Sequence, residues 1–177
     1  MSIEMIGQAI KSYKDDFKRN GNIRILLLLF SYRLSHWASL KRKKSILSNA
    51  YAIPIILMHR FITEWIFGLE LPAATAIGRG LIIDHGYSIV VNKHSVIGDY
   101  CRIRHGVTIG CKLNSDGSQG KSPTLGDNVD VGAHALIIGD IIIGNNVSIG
   151  AGAVVITDVP SNTIAVGNPA RIIKKII

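Results

Sequence analysis

The chain has 177 residues, of which 47% are hydrophobic and 18% are charged, and its formal net charge is +8 at pH 7. This length fits one domain or one domain with a small appendage, and the apolar content excludes a disordered chain. Its two cysteines follow no CxxC or zinc-ligand spacing, which excludes a disulfide framework and makes the reducing cytoplasm the expected location.

Residues 1–70 are predicted to form an α-helical N-terminal region, with helices over 3–20, 22–42 and 46–67. The region holds eleven Lys and Arg against five Asp and Glu, a net charge of +6. Its basic run Lys41-Arg42-Lys43-Lys44 is either a solvated helix end or a contact to an anionic membrane surface or acidic partner. It lacks a pattern of base-reading or stacking groups, so no nucleic-acid partner is expected.

No segment of this region is expected to span a membrane. The apolar run over 25–30 is too short, and the stretch over 46–67 is interrupted by Pro54, His59, Arg60 and Glu64. Packed helices are the first interpretation of these apolar stretches. Peripheral contact with the inner face of the membrane is the second.

From residue 77 onward, aliphatic residues recur every six positions, and a second set of inward-facing candidates lies four residues after the first. This period is typical of a parallel β-helix, in which three short strands and their turns form a coil of about 18 residues. The first set is Ile77, Ile83, Val91, Ile97, Ile103, Ile109, Leu125, Val131, Ile137, Ile143, Ile149 and Val155. The second set is Leu81, Cys101, Val107, Val129, Ala135, Ile141, Val147, Ala153 and Val159.

The six-residue frame is broken twice. The step from Ile83 to Val91 is two residues too long, and the step from Ile109 to Leu125 is ten too long. Insertions in such a fold form surface loops that are often functional. We expect the polar, Gly- and Ser-rich loop over 111–123 to be a mobile flap above a site.

One column of the coils carries titratable residues. When both frame breaks are counted, His85, His105, Ala133 and Ala151 occupy the same position in successive coils. The two imidazoles are expected to stack about 4.8 Å apart along the axis. A reacting centre followed by a slot for an extended ligand fits this column, although histidines in surface turns are also common.

Several motifs resemble a known enzyme family. Ile77-Gly78-Arg79-Gly80, Ile83-Asp84-His85-Gly86 and Gly167-Asn168-Pro169-Ala170-Arg171 resemble the serine acetyltransferase branch of the hexapeptide-repeat acyltransferases. Tyr32-Arg33-Leu34-Ser35-His36 and Ile103-Arg104-His105-Gly106 look still more like the acetyltransferases of colanic acid and capsule biosynthesis. The resemblance implies a left-handed parallel β-helix over 71–177, acetyl-CoA as the donor, and a homotrimer with active sites between subunits, with a dimer of trimers as a further option.

The resemblance also implies roles for single residues. His85 takes the place of the general base, and Glu70 that of the carboxylate that orients it, where serine acetyltransferases have Asp. Asp84, His105 and Lys121 are the expected acceptor-binding residues. Those expected to bind CoA are Gly110, Gly132, Ala133, Gly150, Ala151, Arg171 and Lys174.

The acceptor is where the chain departs from serine acetyltransferases. After the inserted loop they have Arg-His-Pro, which binds the carboxylate of serine, whereas this chain has Lys121-Ser122-Pro123. Lysine does not replace a bidentate guanidinium. The expected function is therefore acetyl-CoA-dependent O-acetylation of a surface-polysaccharide sugar or its lipid-linked precursor, with L-serine as the rival acceptor.

Two non-transferase alternatives are a non-enzymatic scaffold and a γ-carbonic-anhydrase-like metalloprotein. The second requires three metal-binding histidines across a trimer interface, and only His85 and His105 share a suitable column. His36, His59, His94 and His134 follow no metal-ligand spacing, so no metal is expected. Cys101 is expected in the core, and Cys111 is not expected to act as a nucleophile.

Overall fold

The N-terminal third is helical in the structure, a computed structural model that describes residues 2–42 and 46–175, with the backbone alone for 2–6, 174 and 175. Helix α1 (Ser2–Arg19) and helix α2 (Ile23–Lys41) are followed by helix α3 (Ile46–Phe61), which continues as a π-helical turn (Ile62–Phe67). Gly68 ends this segment with φ 63°, a left-handed conformation that glycine adopts readily. The three predicted helices agree with the structure to within one residue at each end.

The prediction that the stretch over 46–67 is too interrupted to reach membrane-spanning length is wrong. Ile46–Phe67 is one helical segment of 22 residues, long and apolar enough to cross a membrane by length and composition alone. Pro54 does not break it. Pro54 and Ala50, whose carbonyl loses its helical donor, are both exposed, so water can hydrogen-bond to that carbonyl.

The remainder of the chain is a parallel β-helix with three faces. The strands are β1 (Ala76–Ile77), β2 (Ile82–Asp84), β3 (Val90–Val91), β4 (Val96–Ile97), β5 (Arg102–Arg104), β6 (Thr108–Gly110), β7 (Thr124–Leu125), β8 (Asp130–Val131), β9 (Leu136–Ile138), β10 (Ile142–Ile143), β11 (Ser148–Ile149), β12 (Val154–Val155), β13 (Thr163–Val166) and β14 (Arg171–Lys175). One face has the strand order β1-β4-β7-β10, the second β14-β13-β11-β8-β5-β2 and the third β12-β9-β6-β3, and all pairs are parallel except β13 with β14.

The strand register confirms both breaks in the hexapeptide frame. Ala76 pairs with Val96, Val96 with Thr124, and Thr124 with Ile142, which gives steps of 20, 28 and 18 residues. The first two steps exceed the third by two and by ten. The ten-residue excess forms a small hairpin in which Leu113 bridges Gln119.

The predicted core is confirmed in full. Every member of both inward-facing sets is buried. Cys101 is among them, and burial raises the pKa of its thiol to about 11, which keeps it protonated and unreactive.

A buried ion pair joins the helices to the first coil. The Arg33 guanidinium contacts the Asp16 carboxylate at 2.8 Å, and both side chains are almost fully buried. Arg33 also donates to the carbonyl oxygens of Ile77 and Gly78, at 2.8 and 2.6 Å. Nearby, the Tyr32 hydroxyl donates to Thr75 O at 2.7 Å. Residues 32–36, which carry part of the family resemblance, therefore hold α2 against the coil.

Candidate active site

His85 lies at an exposed corner of the β-helix, directly after β2. Its φ of 69° places it in the left-handed region, and Gly86 follows with φ 59°. A Cβ atom on Gly86 would lie 2.7 Å from Ile25 Cδ1, so a side chain there would clash with α2. The tight turn therefore presents the His85 imidazole outward from a fixed backbone.

Helix α1 holds the strand that ends at this corner. β2 is the last strand of its sheet, so one of its edges has no neighbouring strand. The side chains of Asp16 in α1 and of Asn20, which directly follows α1, hydrogen-bond to the backbone there: Leu81 N–H donates to Asp16 Oδ1 (2.9 Å), and Ile83 N–H donates to Asn20 Oδ1 (3.2 Å). Asn20 Nδ2 in turn donates to Leu81 O at 2.8 Å. These hydrogen bonds pair backbone N–H and C=O groups at the open edge of the sheet, and they fix the strand that positions His85.

Three histidine side chains follow one another down the corner. The ring centroids of His85 and His105 are 5.4 Å apart and those of His105 and His134 are 4.9 Å apart, both with edge-to-face geometry. His85 and His105 are thus adjacent on successive coils, as predicted, but their rings meet edge to face and do not stack; sequence analysis missed His134. It follows Ala133, the predicted column position, by one residue, and it fits because Gly106 has no side chain: a Cβ there would lie 2.2 Å from His134 Nδ1.

His105 Nδ1 is buried without a hydrogen-bond partner among the described residues. A buried polar atom without a partner costs free energy, on the order of 1–3 kcal/mol. This atom is therefore a candidate to bind a substrate group or a residue of a neighbouring subunit.

Asp84, the predicted acceptor-binding carboxylate, is held by two arginines. Arg102 Nη1 donates to Asp84 Oδ2 at 3.0 Å, and Arg104 Nε lies 3.7 Å from the same oxygen. Arg104 also donates to Asp130 on the next coil. Two guanidinium groups and two carboxylates thus form a network of no net charge beside His85. Sequence analysis missed it, although the outward positions share a register: Asp84 pairs with Arg104, and Arg102 with Asp130.

Glu70 lies beside the neighbouring strand β3. Its N–H donates to Ile89 O (2.7 Å), its carbonyl accepts from Val91 N–H (2.9 Å), and the residue is exposed. The described contacts include no hydrogen bond between Glu70 and His85. The orienting role of Glu70 stays a prediction.

The predicted CoA slot combines positions with different structural constraints. A Cβ on Gly132 would lie 2.5 Å from Ala151 N, and one on Gly150 would lie 2.7 Å from Val166 Cγ1, so packing between coils explains both glycines without a ligand. A Cβ on Gly110 would meet only ordinary contacts, the nearest at 3.6 Å. Packing therefore does not account for Gly110, which ends β6, while half-buried Ala133 and exposed Ala151 follow β8 and β11 at the corner that holds His85.

The charged residues that were predicted to bind the acceptor or CoA lie on other surfaces of the protein. Lys121 is exposed and contacts Asp140 Oδ2 at 3.0 Å. It lines a polar cleft of about 880 Å³ with His94, Lys112 and other residues beside the inserted hairpin. Arg171 is exposed in β14. The Lys174 side chain lies outside the described residues. The CoA-binding roles of these residues stay predictions.

Within residues 2–42 and 46–175, no group of three or more His, Cys, Asp or Glu side chains is arranged to hold a metal ion. The three histidines at the corner contact one another edge to face.

Comparisons with known proteins place this chain in a family. No family model matches the chain. The chain is 44% identical over 159 residues to the putative colanic acid biosynthesis acetyltransferase WcaB of Escherichia coli, a match that covers 89% of this chain and 96% of the relative. The chain belongs to the serine acetyltransferase-like hexapeptide-repeat acyltransferases. It is also 39% identical over 166 residues to the serine acetyltransferase of Synechococcus elongatus, of which it spans 63%.

Solved serine acetyltransferases share this fold. The enzyme of Neisseria gonorrhoeae matches with a TM-score of 0.80 and 28% identity, over 98% of this chain and 69% of that one. A serine acetyltransferase in complex with CoA matches with a TM-score of 0.73 and 28% identity, over 96% and 69% of the two chains. The fold is accordingly a left-handed parallel β-helix preceded by helices, and the protein is an acetyltransferase that uses acetyl-CoA.

Proposed function

We propose that this acetyltransferase transfers the acetyl group of acetyl-CoA to a hydroxyl of a surface-polysaccharide sugar or its lipid-linked precursor. The observation that carries the proposal is the pairing of Asp84 with Arg102 and Arg104. The name of the colanic acid relative points the same way.

In the proposed reaction, His85 acts as the general base. An alcohol is a poor nucleophile at neutral pH, and a neutral imidazole nitrogen can remove its proton as the oxygen attacks the thioester carbonyl carbon. When the carbon–sulfur bond breaks, the imidazolium returns the proton to the departing thiolate, and an ester and free CoA result. Backbone N–H groups near Gly86 or Gly110 are the proposed donors to the oxyanion.

The charge around Asp84 disfavours serine as the acceptor. To bind the ammonium of an amino acid, a carboxylate must present uncompensated negative charge, whereas Asp84 already has two guanidinium partners. The carboxylate of serine has no free cation at Lys121, which contacts Asp140. A neutral sugar needs only hydrogen-bond donors and acceptors, and this network offers both.

We further propose that the active protein is a trimer. His85 is exposed, and the neighbouring His105 Nδ1 is buried without a partner among the described residues, so one chain supplies one wall of the site. A neighbouring subunit that packs against this corner would complete it. The proposed location is the cytoplasm, where acetyl-CoA is available, with peripheral contact to the membrane.

The test is acetyl transfer from radiolabelled acetyl-CoA to a panel that contains L-serine, nucleotide sugars and lipid-linked saccharides. We expect labelled ester on a saccharide and a rate with serine no higher than the rate of acetyl-CoA hydrolysis. Acetylation of serine that is faster than that of every saccharide would overturn the proposal and establish the rival acceptor. The double replacement Arg102→Gln with Arg104→Gln is the informative variant, because it removes both guanidinium partners of Asp84 and should raise the relative rate with serine.

A further inference from the structure

One face of α3 is apolar and exposed along its whole length. At 100° per residue, its exposed apolar side chains fall within an arc of about 160° that contains no charged residue. We call these residues, together with exposed Trp65 and Ile66 of the π-helical turn, the apolar stripe. In α3 they are Ile46, Leu47, Ala50, Tyr51, Ile53, Pro54, Leu57, Met58 and Phe61.

The opposite face of α3 attaches it to the rest of the protein. His59 Nε2–H donates to Leu71 O at 2.8 Å, and its Nδ1 lies 2.9 Å from the Ser31 hydroxyl. Ser48 and Ala52 are buried on the same side. Because this face is fixed to α2 and to the start of the coil, the helix cannot cross a bilayer without breaking these contacts. It can lie flat on one.

The apolar surface continues onto α2. Leu27, Phe30 and Leu34 are exposed, and with Met58 and Ile66 they line a groove of about 650 Å³ between the helices. The stripe itself extends over about 33 Å, from 22 residues at 1.5 Å each. Contiguous apolar patches of this extent on soluble proteins mark interaction sites.

We propose that the apolar stripe docks this enzyme on an anionic membrane surface, with α3 parallel to the plane of the lipid headgroups. Charge decides between this occupant and a second copy of the chain. Exposed Arg42 ends α2 just before the stripe, and the sequence continues with Lys43 and Lys44, which lie outside the described residues. The first 70 residues carry a net charge of +6, so two such N-terminal regions repel each other, while anionic lipid attracts them.

Trp65 fits the same orientation. It lies at the far end of the stripe from the basic run, and 79% of its surface is exposed. Tryptophan is enriched at the membrane–water interface because its ring is apolar and its N–H is polar. An apolar face combined with a basic cluster supplies the two signals that stable but reversible attachment requires. Docking of the stripe sets the location of the enzyme and is independent of whether its acceptor is a saccharide or L-serine.

The test is flotation of the full-length protein with vesicles of phosphatidylglycerol and phosphatidylcholine or of phosphatidylcholine alone. We expect binding to the anionic vesicles at low salt and about fivefold weaker binding for each cation removed by Arg42→Gln, Lys43→Gln or Lys44→Gln. Leu57→Glu should reduce binding by at least about tenfold, because it places a charge within the stripe. Ile142→Glu is the matched control, since Ile142 is an equally exposed apolar residue of the coil.

A second readout needs no change in the stripe. In a Trp37→Phe protein, Trp65 is the only tryptophan, and its fluorescence should shift to shorter wavelength when anionic vesicles are added. No flotation with anionic vesicles, or equal flotation of wild type and Leu57→Glu, would overturn the proposal. So would a halving of the solution mass by Leu57→Glu without any vesicle binding, since a second copy of the chain would then be the occupant. Acetyl transfer to a soluble acceptor, measured in parallel, reports on the proposed function independently.

Discussion

Replacement of His85 by Asn tests the proposed chemistry with little disturbance of the fold. General-base catalysis contributes about 10²–10⁴-fold, so kcat/KM should fall by that factor, equivalent to about 2.7–5.5 kcal/mol of transition-state stabilisation. Asn is preferable to Ala because His85 has φ 69°, and Asn adopts the left-handed region more readily than other non-glycine residues. Because the His85 side chain is exposed, we expect the free energy of unfolding to change by less than about 1 kcal/mol. A change of that size shifts Tm by about 2–4 °C in a protein of this length.

The assay is thiol release from acetyl-CoA in the presence of the identified acceptor, with CoA affinity measured by calorimetry on the same protein. His134→Asn is the matched control, because His134 has φ 58° and lies at the same corner two coils further along. We expect the control to retain activity to within about tenfold. Activity of His85→Asn within about threefold of wild type, in protein of unchanged oligomeric state, would remove His85 from the mechanism.

Three further changes test the residues around this corner and the contacts that hold it. Glu70→Gln should lower kcat by less than His85→Asn does, because it weakens orientation without removing the base; wild-type activity would assign orientation to another carboxylate. Asp16→Asn leaves Arg33 as a buried, unpaired cation and should destabilise the protein by about 3–5 kcal/mol in thermal unfolding, whereas an unchanged Tm would show that the pair is dispensable. Burial lowers the pKa of His59, so below pH 6.5 the unfolded chain binds a proton that the folded chain does not; Tm should therefore fall as the pH drops from 7.5 to 5.5, and His59→Gln should reduce this slope.

The inward-facing residues were predictable because the β-helix imposes a strict period on them. The repeat fixes the position of Ile103 or Val131 within its coil and turns the side chain toward the interior, so the spacing alone predicts its burial. The same arithmetic placed His85 and His105 on adjacent coils, across the two-residue frame break.

Outward-facing residues were less predictable. The frame breaks change the number of residues that separate two partners on neighbouring coils. Arg102 and Asp130 are 28 residues apart in sequence and face each other only after the ten-residue insertion is counted. Both Asp84 and Asp130 are possible partners of Arg104, and its long side chain contacts both carboxylates. The spacing predicts the register, but only the side-chain conformations show that Asp84 is neutralised.

The helical region connects the proposed membrane surface to the proposed reaction centre. Helix α3 carries the apolar stripe and is fixed to the first coil through His59, while Asp16 of α1 and Asn20, which directly follows α1, fix the strand that ends at His85. A surface that binds the stripe therefore also sets the direction in which the His85 corner faces, since side-chain hydrogen bonds join both elements to the same rigid coil. An acceptor carried on a lipid would meet this corner in a restricted orientation, and such restriction lowers the entropic cost of bringing its hydroxyl to the base.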